Sequence, residues 1–450
     1  MCCANGAVQV SELIFGCEWL AAGCGTAMVR ETTGQLTIRL GDVSLTQNED
    51  TWSKTVRDSV LVSAYPLATW LAASWWRLSY EPLPRHGVSP LLDWRMSHEM
   101  GAGNSGFVWP YVVLASDGDV VQIWALPSDS NSKQSVRYLT GLPAPRAVPL
   151  ESFQHAVDEF VGMVLNRLRS VGQPDTDLAG LWSLILEDRA DSRAAKKRRI
   201  EAQMGYDPDE CPDAVMAEAL DLEKRLGTST MSELAPVFGR RGDGAALGEI
   251  SKLADVEGLR GKPDTLVSRV AEAHAIEPPW QGAVEAARNL RARLGDDNGF
   301  MDDERLYGLF GLDAQAVSEW SPPSRHQVGL AVPTGRGGLK FVPRKRHPIA
   351  KRFEFSRFLG DYANSEVKGW LASTDLATSR QKFQRAFAAE FLCPIKSLDD
   401  FLSGDFSEPA IEEAASNFGV SEQTVESLLA NNGYIAPRFE RGGLPYQLGV

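Results

Sequence analysis

The strongest constraint on the fold is a long stretch of helix-period apolar residues in the middle of the chain. From Ser152 to Leu168 apolar side chains recur every three or four residues, in the stripe Phe153, Val157, Phe160, Val161, Val164 and Leu168. This spacing turns one face of an α-helix toward a core. Helix spacing continues to about residue 274, over Leu178–Met204, Pro212–Leu226, Met231–Val237 and Ala245–Leu253. The sequence therefore predicts a helical domain over residues 150–276.

The preceding region has the pattern of a small α+β domain. Leu36–Leu40 alternates apolar and polar residues, as a half-buried strand does. Asp117-Gly118 separates two β-rich runs, which predicts a hairpin. Val60–Tyr80 is apolar and rich in Trp, and we expect a buried helix that begins or kinks at Pro66. A linker is predicted at three closely spaced prolines, Pro143, Pro145 and Pro149, so the first domain is expected over residues 1–145.

Length and charge limit the classes of function. The chain has 450 residues and a net charge of −13, so as a whole it would repel a nucleic-acid backbone. It has no 18-residue uncharged apolar run, and the N-terminus lacks a basic segment, so we expect neither a membrane span nor a signal peptide. Six scattered cysteines favour a reducing cytoplasm: Cys2, Cys3, Cys17, Cys24, Cys211 and Cys393.

Recognisable sequence begins in the last third of the chain. Phe387-Ala388-Ala389-Glu390-Phe391-Leu392-Cys393-Pro394 resembles the F-A-A-x-x-L-x-P signature of the ImmA/IrrE-type metallopeptidases. Ala283–Leu312 resembles the opening helices of that family, and Ala410–Ile435 resembles its closing helices. The resemblance implies a zincin-like domain over residues 280–437, followed by a tail over residues 438–450. The fold class predicted for the whole chain is α+β and predominantly α-helical.

The same resemblance implies a zinc-binding helix, but its functional residues are replaced. The family helix reads approximately R-F-T-L-A-H-E-L-G-H, with two histidines on one face and a glutamate that polarises water. Here Arg352–Asp361 reads Arg-Phe-Glu-Phe-Ser-Arg-Phe-Leu-Gly-Asp. Arg357 occupies the position of the first ligand, Phe358 that of the base, and Asp361 that of the second histidine. Phe383 occupies the position of the family's distal carboxylate ligand.

These replacements predict a protein without zinc catalysis. A guanidinium has no lone pair for a metal, and phenylalanine takes up no proton. We therefore expect no catalytic residue, metal or cofactor, and an i,i+4 ion pair between Arg357 and Asp361 across the former site. His98-Glu99 begins like H-E-x-x-H, but Ala102 stands where the second histidine would be. We expect a loop or turn there, because glycines flank Ala102.

A dense basic segment beside this helix is the candidate binding site. It consists of Lys340, Arg344, Lys345, Arg346, His347, Lys351 and Arg352, with Arg357 on the helix. One interpretation is a cationic groove that binds an acidic peptide, a nucleotide or a nucleic acid. The alternative is a solvated basic loop beside a strand. Thr334–Gly338, between two strand-like segments, is expected to be a hairpin turn rather than a phosphate loop.

The closing helices have the outline of a helix-turn-helix, with Ser421 as an N-cap. Ser421–Asn431 contains two glutamates and no Lys or Arg, whereas a recognition helix normally brings cations to DNA. We therefore expect these helices to pack on the protease-like core.

The leading hypothesis is a non-catalytic regulatory or sensing protein. The resemblance implies a bacterial stress, toxin–antitoxin or phage-defence system, with a protein partner such as a repressor, toxin or defence-complex subunit. Nucleic acid or a nucleotide remains an alternative ligand at the basic segment, and no membrane partner is expected. One alternative is an active metalloendopeptidase with non-standard ligands that cleaves a repressor-type protein. Another is a structural subunit that uses the Trp-rich N-terminal domain as its interface.

Overall fold

The computed structural model describes residues 12–21, 25–84, 89–129, 134–239, 247–267, 279–295, 299–335, 337–364 and 369–436. It confirms an α+β fold in which helices predominate. The described residues form two compact units, which divide between Met216 and Ala217. The predicted tail over residues 438–450 lies outside the described residues.

The first unit combines small antiparallel sheets with helices. Its strands are β1 (Leu13–Trp19), β2 (Thr33–Leu40), β3 (Val43–Ser44), β4 (Asn48–Asp50), β5 (Val56–Arg57), β6 (Val60–Ser63), β7 (Tyr111–Ser116), β8 (Val120–Leu126), β9 (Val136–Tyr138) and β10 (Arg146–Pro149). Its helices are α1 (Ala27–Glu31), α2 (Ala64–Ala73), α3 (Trp75–Tyr80), α4 (Leu92–His98), α5 (Leu150–Ser170), α6 (Asp177–Ala190) and α7 (Ser192–Gln203), with a 3-10 turn at Met100–Gly103. Helix α8 (Asp213–Leu226) crosses the boundary between the units.

Three sheets organise this unit. Strand β2 pairs with β1 on one side and with β3 and β6 on the other. The second sheet has the order β10-β8-β7, and the third has the order β5-β4-β9. The predicted Asp117-Gly118 hairpin is present between β7 and β8, and Gly118 has the positive φ of +106° that the turn requires. The predicted proline linker differs, because Arg146–Pro149 pairs with β8 as a strand.

The predicted apolar stripe of the middle region is the buried face of α5. This face belongs to the core of the first unit. There the ring centroids of Phe160 and of Phe15 on β1 lie 5.0 Å apart. The predicted helical run Leu178–Met204 is two helices, because the Asp191 side chain accepts hydrogen bonds from the backbone N–H groups of Arg193 and Ala194 and so begins α7. The three helices α5 to α7 therefore fall in the first unit, and residues 150–276 are divided between the two units.

The second unit has one four-stranded antiparallel sheet and the remaining helices. Its strands are β11 (Leu259–Gly261), β12 (Gly329–Thr334), β13 (Gly338–Val342) and β14 (Leu371–Ser373), in the order β11-β13-β12-β14. Its helices after α8 are α9 (Thr228–Phe238), α10 (Gly248–Asp255), α11 (Pro279–Arg293), α12 (Asp303–Gly308), α13 (Ala314–Glu319), α14 (Pro348–Asn364), α15 (Ser379–Leu392), α16 (Ile395–Leu402), α17 (Glu408–Phe418) and α18 (Glu422–Asn431), with a 3-10 turn at Thr265–Val267. The Thr334–Gly338 segment connects β12 and β13, as the hairpin prediction requires.

Helix α14 contains the segment that resembles the metallopeptidase motif. Pro348 is its first residue, a position that suits proline because the missing N–H would have no helical partner there. At Gly360 the helix lies so close to α15 that an added Cβ would be 2.6 Å from the ring of Phe387. The glycine thus permits the close packing of the two helices that carry the former-site positions.

Among the described residues, no helix is both long enough and apolar enough to cross a membrane.

Candidate functional site

Arg357 points from α14 toward the turn between β14 and α15. Its side chain is 4% exposed, and its Nη2 donates to the backbone oxygen of Thr374 at 2.7 Å and to Oε1 of Gln381. Its Nε has no hydrogen-bond partner among the described atoms. Burial, together with the nearby Arg385 and Arg344 cations, lowers the pKa of Arg357. Arg357 is therefore a buried cation held by neutral oxygens.

The predicted ion pair between Arg357 and Asp361 is wrong. Asp361 instead forms a bidentate pair with Arg380 of α15, at 2.7 Å and 2.8 Å. Arg380 also donates to the backbone oxygen of Trp370 at 3.2 Å. The spacing on α14 places Arg357 and Asp361 on one face of the helix. Helix α15 packs with Arg380 against that face, and the Arg380 guanidinium donates two hydrogen bonds to the Asp361 carboxylate.

The other two former-site positions lie in the hydrophobic core. Phe358 is fully buried, and its ring centroid lies 5.8 Å from that of Phe341 and 6.0 Å from that of Phe355. Phe383 is buried and stacks on Phe387, with the two ring centroids 6.5 Å apart. Both side chains fill space and provide no proton-transfer group.

These residues do not fit a zinc ion. A catalytic zinc site needs three protein ligands that are nitrogen, sulfur or oxygen donors. Of the four former-site positions only Asp361 carries such a donor, and both its carboxylate oxygens accept from Arg380. Across the part of the chain that the structure describes, no three His, Cys, Asp or Glu side chains are grouped closely enough to hold a metal.

Two cations of the predicted basic segment, the buried Lys351 and the half-buried Lys340, donate to backbone oxygens. The Nζ of Lys351 donates to the carbonyl oxygens of Val317, Ser318 and Trp320 at 2.8, 2.9 and 2.7 Å, and so caps the C-terminal end of α13. Lys340, which is half-buried, donates through Nζ to the backbone oxygen of Ala254.

Arg352 is a third internal anchor. It pairs with Asp303, donates to the backbone oxygens of Met301 and Gly419, and lies over the ring of Phe300 at 5.1 Å. Only 6% of the residue is exposed. Arg352 therefore ties α14 to the segments before α12 and after α17.

Arg344 is also buried. It forms a bidentate pair with Asp375 at 2.6 Å and 2.8 Å, contacts Glu354 at 3.3 Å and donates to the backbone oxygen of Gln327 at 2.7 Å. Lys345 is half-buried, whereas Arg346 and His347 are exposed.

The structure therefore gathers only three of the predicted basic residues around the turn after β14, Arg344, Lys345 and Arg357, and does not form one cationic groove from the whole segment. The solvated-loop alternative does not describe them either, because Lys351, Arg352 and Arg344 are used inside the unit. These long side chains donate to nearby carbonyl and carboxylate oxygens. A count of charges along the sequence does not reveal such contacts.

The turn after β14 is bound by an arginine that no sequence pattern indicated. Arg385 of α15 donates through Nη2 to the backbone oxygen of Leu376 at 2.9 Å. Three consecutive residues, Thr374 to Leu376, are thus each bound by a different arginine: Arg357, Arg344 and Arg385. The arginines come from distant segments, so no spacing in the sequence indicates this convergence.

His98 differs from the predicted loop position. It is the last residue of α4 and is fully buried. Its Nδ1 lies 2.7 Å from the backbone oxygen of Leu114, and its Nε2 lies 2.8 Å from Oε2 of Glu81, which also accepts from Arg77 at 2.7 Å. Burial and Arg77 lower the pKa of His98 to about 3. This histidine is a polar core residue.

The closing helices pack on the second unit, in agreement with the packing expectation. Ser421 caps α18, its Oγ accepting from the backbone N–H of Thr424 at 3.2 Å. The inward residues Phe418, Val425 and Leu429 belong to the core of this unit.

Comparison of the chain with protein-family models, with curated proteins and with solved structures found no match.

Proposed function

We propose that this chain is a non-catalytic regulatory or sensing protein whose second unit binds a partner. The observation that carries the proposal is the use of all four former-site positions for packing. Arg357 and Asp361 are held by α15 and its preceding turn, while Phe358 and Phe383 lie in the core. A site filled in this way has neither a base nor an open metal position.

The biological setting of the proposal comes from the resemblance of Phe387–Pro394 to the metallopeptidase signature. That resemblance supports a bacterial stress, toxin–antitoxin or phage-defence system, with a repressor, toxin or defence-complex subunit as the protein partner. In such a role the second unit would act by binding and release rather than by cleavage.

Metal analysis of the purified full chain tests the non-catalytic proposal. We expect no stoichiometric zinc after growth in zinc-supplemented medium, and no cleavage of a repressor-type substrate. Arg357→Leu is the matched variant, because it removes the cation without adding an atom that can bind a metal. Stoichiometric zinc that is lost in Asp361→Asn, together with peptidase activity lost in the same variant, would support a metalloendopeptidase and overturn the proposal.

A second candidate, a structural subunit, is favoured by one exposed aromatic residue. Most of the Trp-rich stretch is core, since Trp70, Trp75 and Trp76 are buried. Trp52 is 90% exposed between β4 and β5, where Asp50 accepts from the backbone N–H of Trp52 at 2.9 Å and orders the turn. Exposed aromatics of this kind are enriched at interfaces.

The molecular mass of the chain in solution tests the structural-subunit candidate. If the chain assembles through this turn, Trp52→Ala lowers the mass measured by light scattering at micromolar concentration, and Leu61→Ala, an exposed residue on β6, does not. An unchanged mass in both variants contradicts self-assembly through Trp52.

A further inference from the structure

The turn after β14 is a point where positive charge converges. Arg344, Arg357 and Arg385 each donate a hydrogen bond to one residue of Thr374–Leu376. Only one of these three contacts, the pair of Arg344 with Asp375, includes a carboxylate. The other two arginines donate to backbone oxygens.

Charge at this turn is not balanced. Lys345 adds a fourth cation, and its pKa is lowered by burial and by the neighbouring Arg344. Two carboxylates oppose the four cations: Asp375, and Glu354, which accepts from the backbone N–H of Arg344 at 2.9 Å and of Lys345 at 3.1 Å. This leaves an excess of two positive charges.

The neighbouring ionised groups do not remove this excess. Arg380 is matched by Asp361. Glu233 is fully buried, accepts from the Thr378 hydroxyl at 2.8 Å and attracts both Arg380 and Arg385, so it can offset only one of the two excess charges. A cation in low dielectric without a counter-charge is costly, so an added anion would be stabilised there.

Two of the cations have donors to offer at the surface. The ammonium of Lys345 makes no hydrogen bond or ion pair with any described residue, and the Lys345 side chain is half-buried. Arg385 is partly exposed and uses one nitrogen, Nη2, for Leu376. Asp375 beside them is 50% exposed, which shows that solvent reaches the turn.

We propose that Lys345, Arg385 and the turn Thr374–Leu376 form a binding site for a phosphate group. Lys345 and Arg385 donate to its oxygens, as ammonium and guanidinium groups do in phosphate sites. Arg357 and Arg344 lie behind the turn as positioning residues that supply positive potential. The inference rests on the proposed binding role, since it names the chemistry that the second unit recognises.

Titration of the full chain with inorganic phosphate tests the site. We expect saturable binding by calorimetry, and a rise of the thermal midpoint that sodium chloride at equal ionic strength does not reproduce. Adenosine monophosphate is the second ligand. If it binds tighter than inorganic phosphate, the group is carried by a nucleotide; equal affinity indicates free phosphate.

Three variants distinguish phosphate binding at this site from non-specific attraction by nearby positive charge. Arg385→Gln should weaken phosphate binding about tenfold, the size expected for a lost charge-assisted hydrogen bond. Asp375→Asn should tighten it, because a competing carboxylate is removed while the amide keeps a similar shape. Arg346→Gln is the control, since this exposed cation lies in the same segment but donates to Pro322 instead of the turn.

Two outcomes overturn the phosphate site. One is the absence of saturable binding in both the native chain and Asp375→Asn, with circular dichroism showing both folded. The other is equal weakening by Arg385→Gln and Arg346→Gln. Neither affects the non-catalytic proposal, which is decided by zinc content and peptidase activity.

Discussion

Two charged residues one turn apart on α14 have different energetic roles. Asp361 is the buried partner of Arg380, so its removal leaves a guanidinium without its counter-charge. Breaking a buried pair from one side costs about 3–5 kcal/mol. We expect Asp361→Ala to lower the free energy of unfolding of the second unit by an amount near the lower end of that range, measured by urea denaturation.

Arg357→Met is the matched comparison on the same helix. Arg357 has no carboxylate hydrogen-bond partner among the described residues, and Gln381 Oε1 has a second donor, the backbone N–H of Thr374 at 2.9 Å. We therefore expect a loss less than half that of Asp361→Ala. If both substitutions cost the same, Arg357 is held more tightly than its neutral partners indicate, and the charge excess at the turn is smaller than inferred.

Two thiols, the half-buried Cys17 and the buried Cys393, provide a test of burial at single residues. Burial raises the pKa of Cys17 and of Cys393 to about 12. Since a thiolate is the species that reacts with iodoacetamide, both should be almost unlabelled at pH 8 in the folded chain. Peptide mapping after labelling, with and without denaturant, measures this. Rapid labelling of Cys393 in the folded chain would contradict the placement of α15.

The packing of α14 on α15 depends on a residue without a side chain. An added Cβ at Gly360 would lie 2.6 Å from Cγ and 2.7 Å from Cδ1 of Phe387. The helices would have to separate, and overpacking of this kind costs about 1–3 kcal/mol. We expect Gly360→Ala to lower the free energy of unfolding of the second unit by that amount in urea denaturation.

Gly282→Ala is the matched control within the same unit. Gly282 lies in α11, where an added Cβ meets no atom within 4 Å. Alanine is about 0.5–1 kcal/mol better than glycine inside a helix, so this variant should be slightly more stable than the native chain. A loss of stability in both variants would show that the contact with Phe387 does not determine the effect at Gly360.

Periodicity predicts elements well here because local spacing decides which face of a helix is buried. The stripe on α5 and the Asp117-Gly118 and Thr334–Gly338 turns all follow from residues within one element. The candidate site does not, because Arg344, Arg357 and Arg385 meet through tertiary packing. The sequence predicted that Arg357 replaces a ligand. The ion pair of Arg380 with Asp361 depends on how α15 packs along α14, which the sequence alone does not give.

At the scale of the whole molecule, the chain divides into two compact units, and each contains one large hydrophobic cluster among the described residues. One core extends from Leu13 to Ala202 and the other from Val267 to Leu429. The prolines before α5 indicated a linker, but β10 ends at Pro149 and α5 begins at the next residue, so the chain passes directly into the first core. Local proline content could not reveal this, because the pairing of β10 with β8 is non-local.

Separate cores predict separate unfolding transitions. Phe355 is fully buried in the second core, and Phe153 is fully buried in the first. Truncation of a buried phenylalanine to alanine costs about 3–5 kcal/mol. In calorimetry of the full chain we expect Phe355→Ala to lower one transition and Phe153→Ala to lower the other, each leaving the remaining transition in place.

Each variant is the control for the other, because the chemical change is the same and only the core differs. If both substitutions lower one common transition, the chain unfolds as a single cooperative body, and the free energies predicted for Asp361→Ala and Gly360→Ala then belong to the whole chain. If the transitions separate, phosphate should raise only the one that Phe355→Ala lowers, because a ligand stabilises the unit to which it binds.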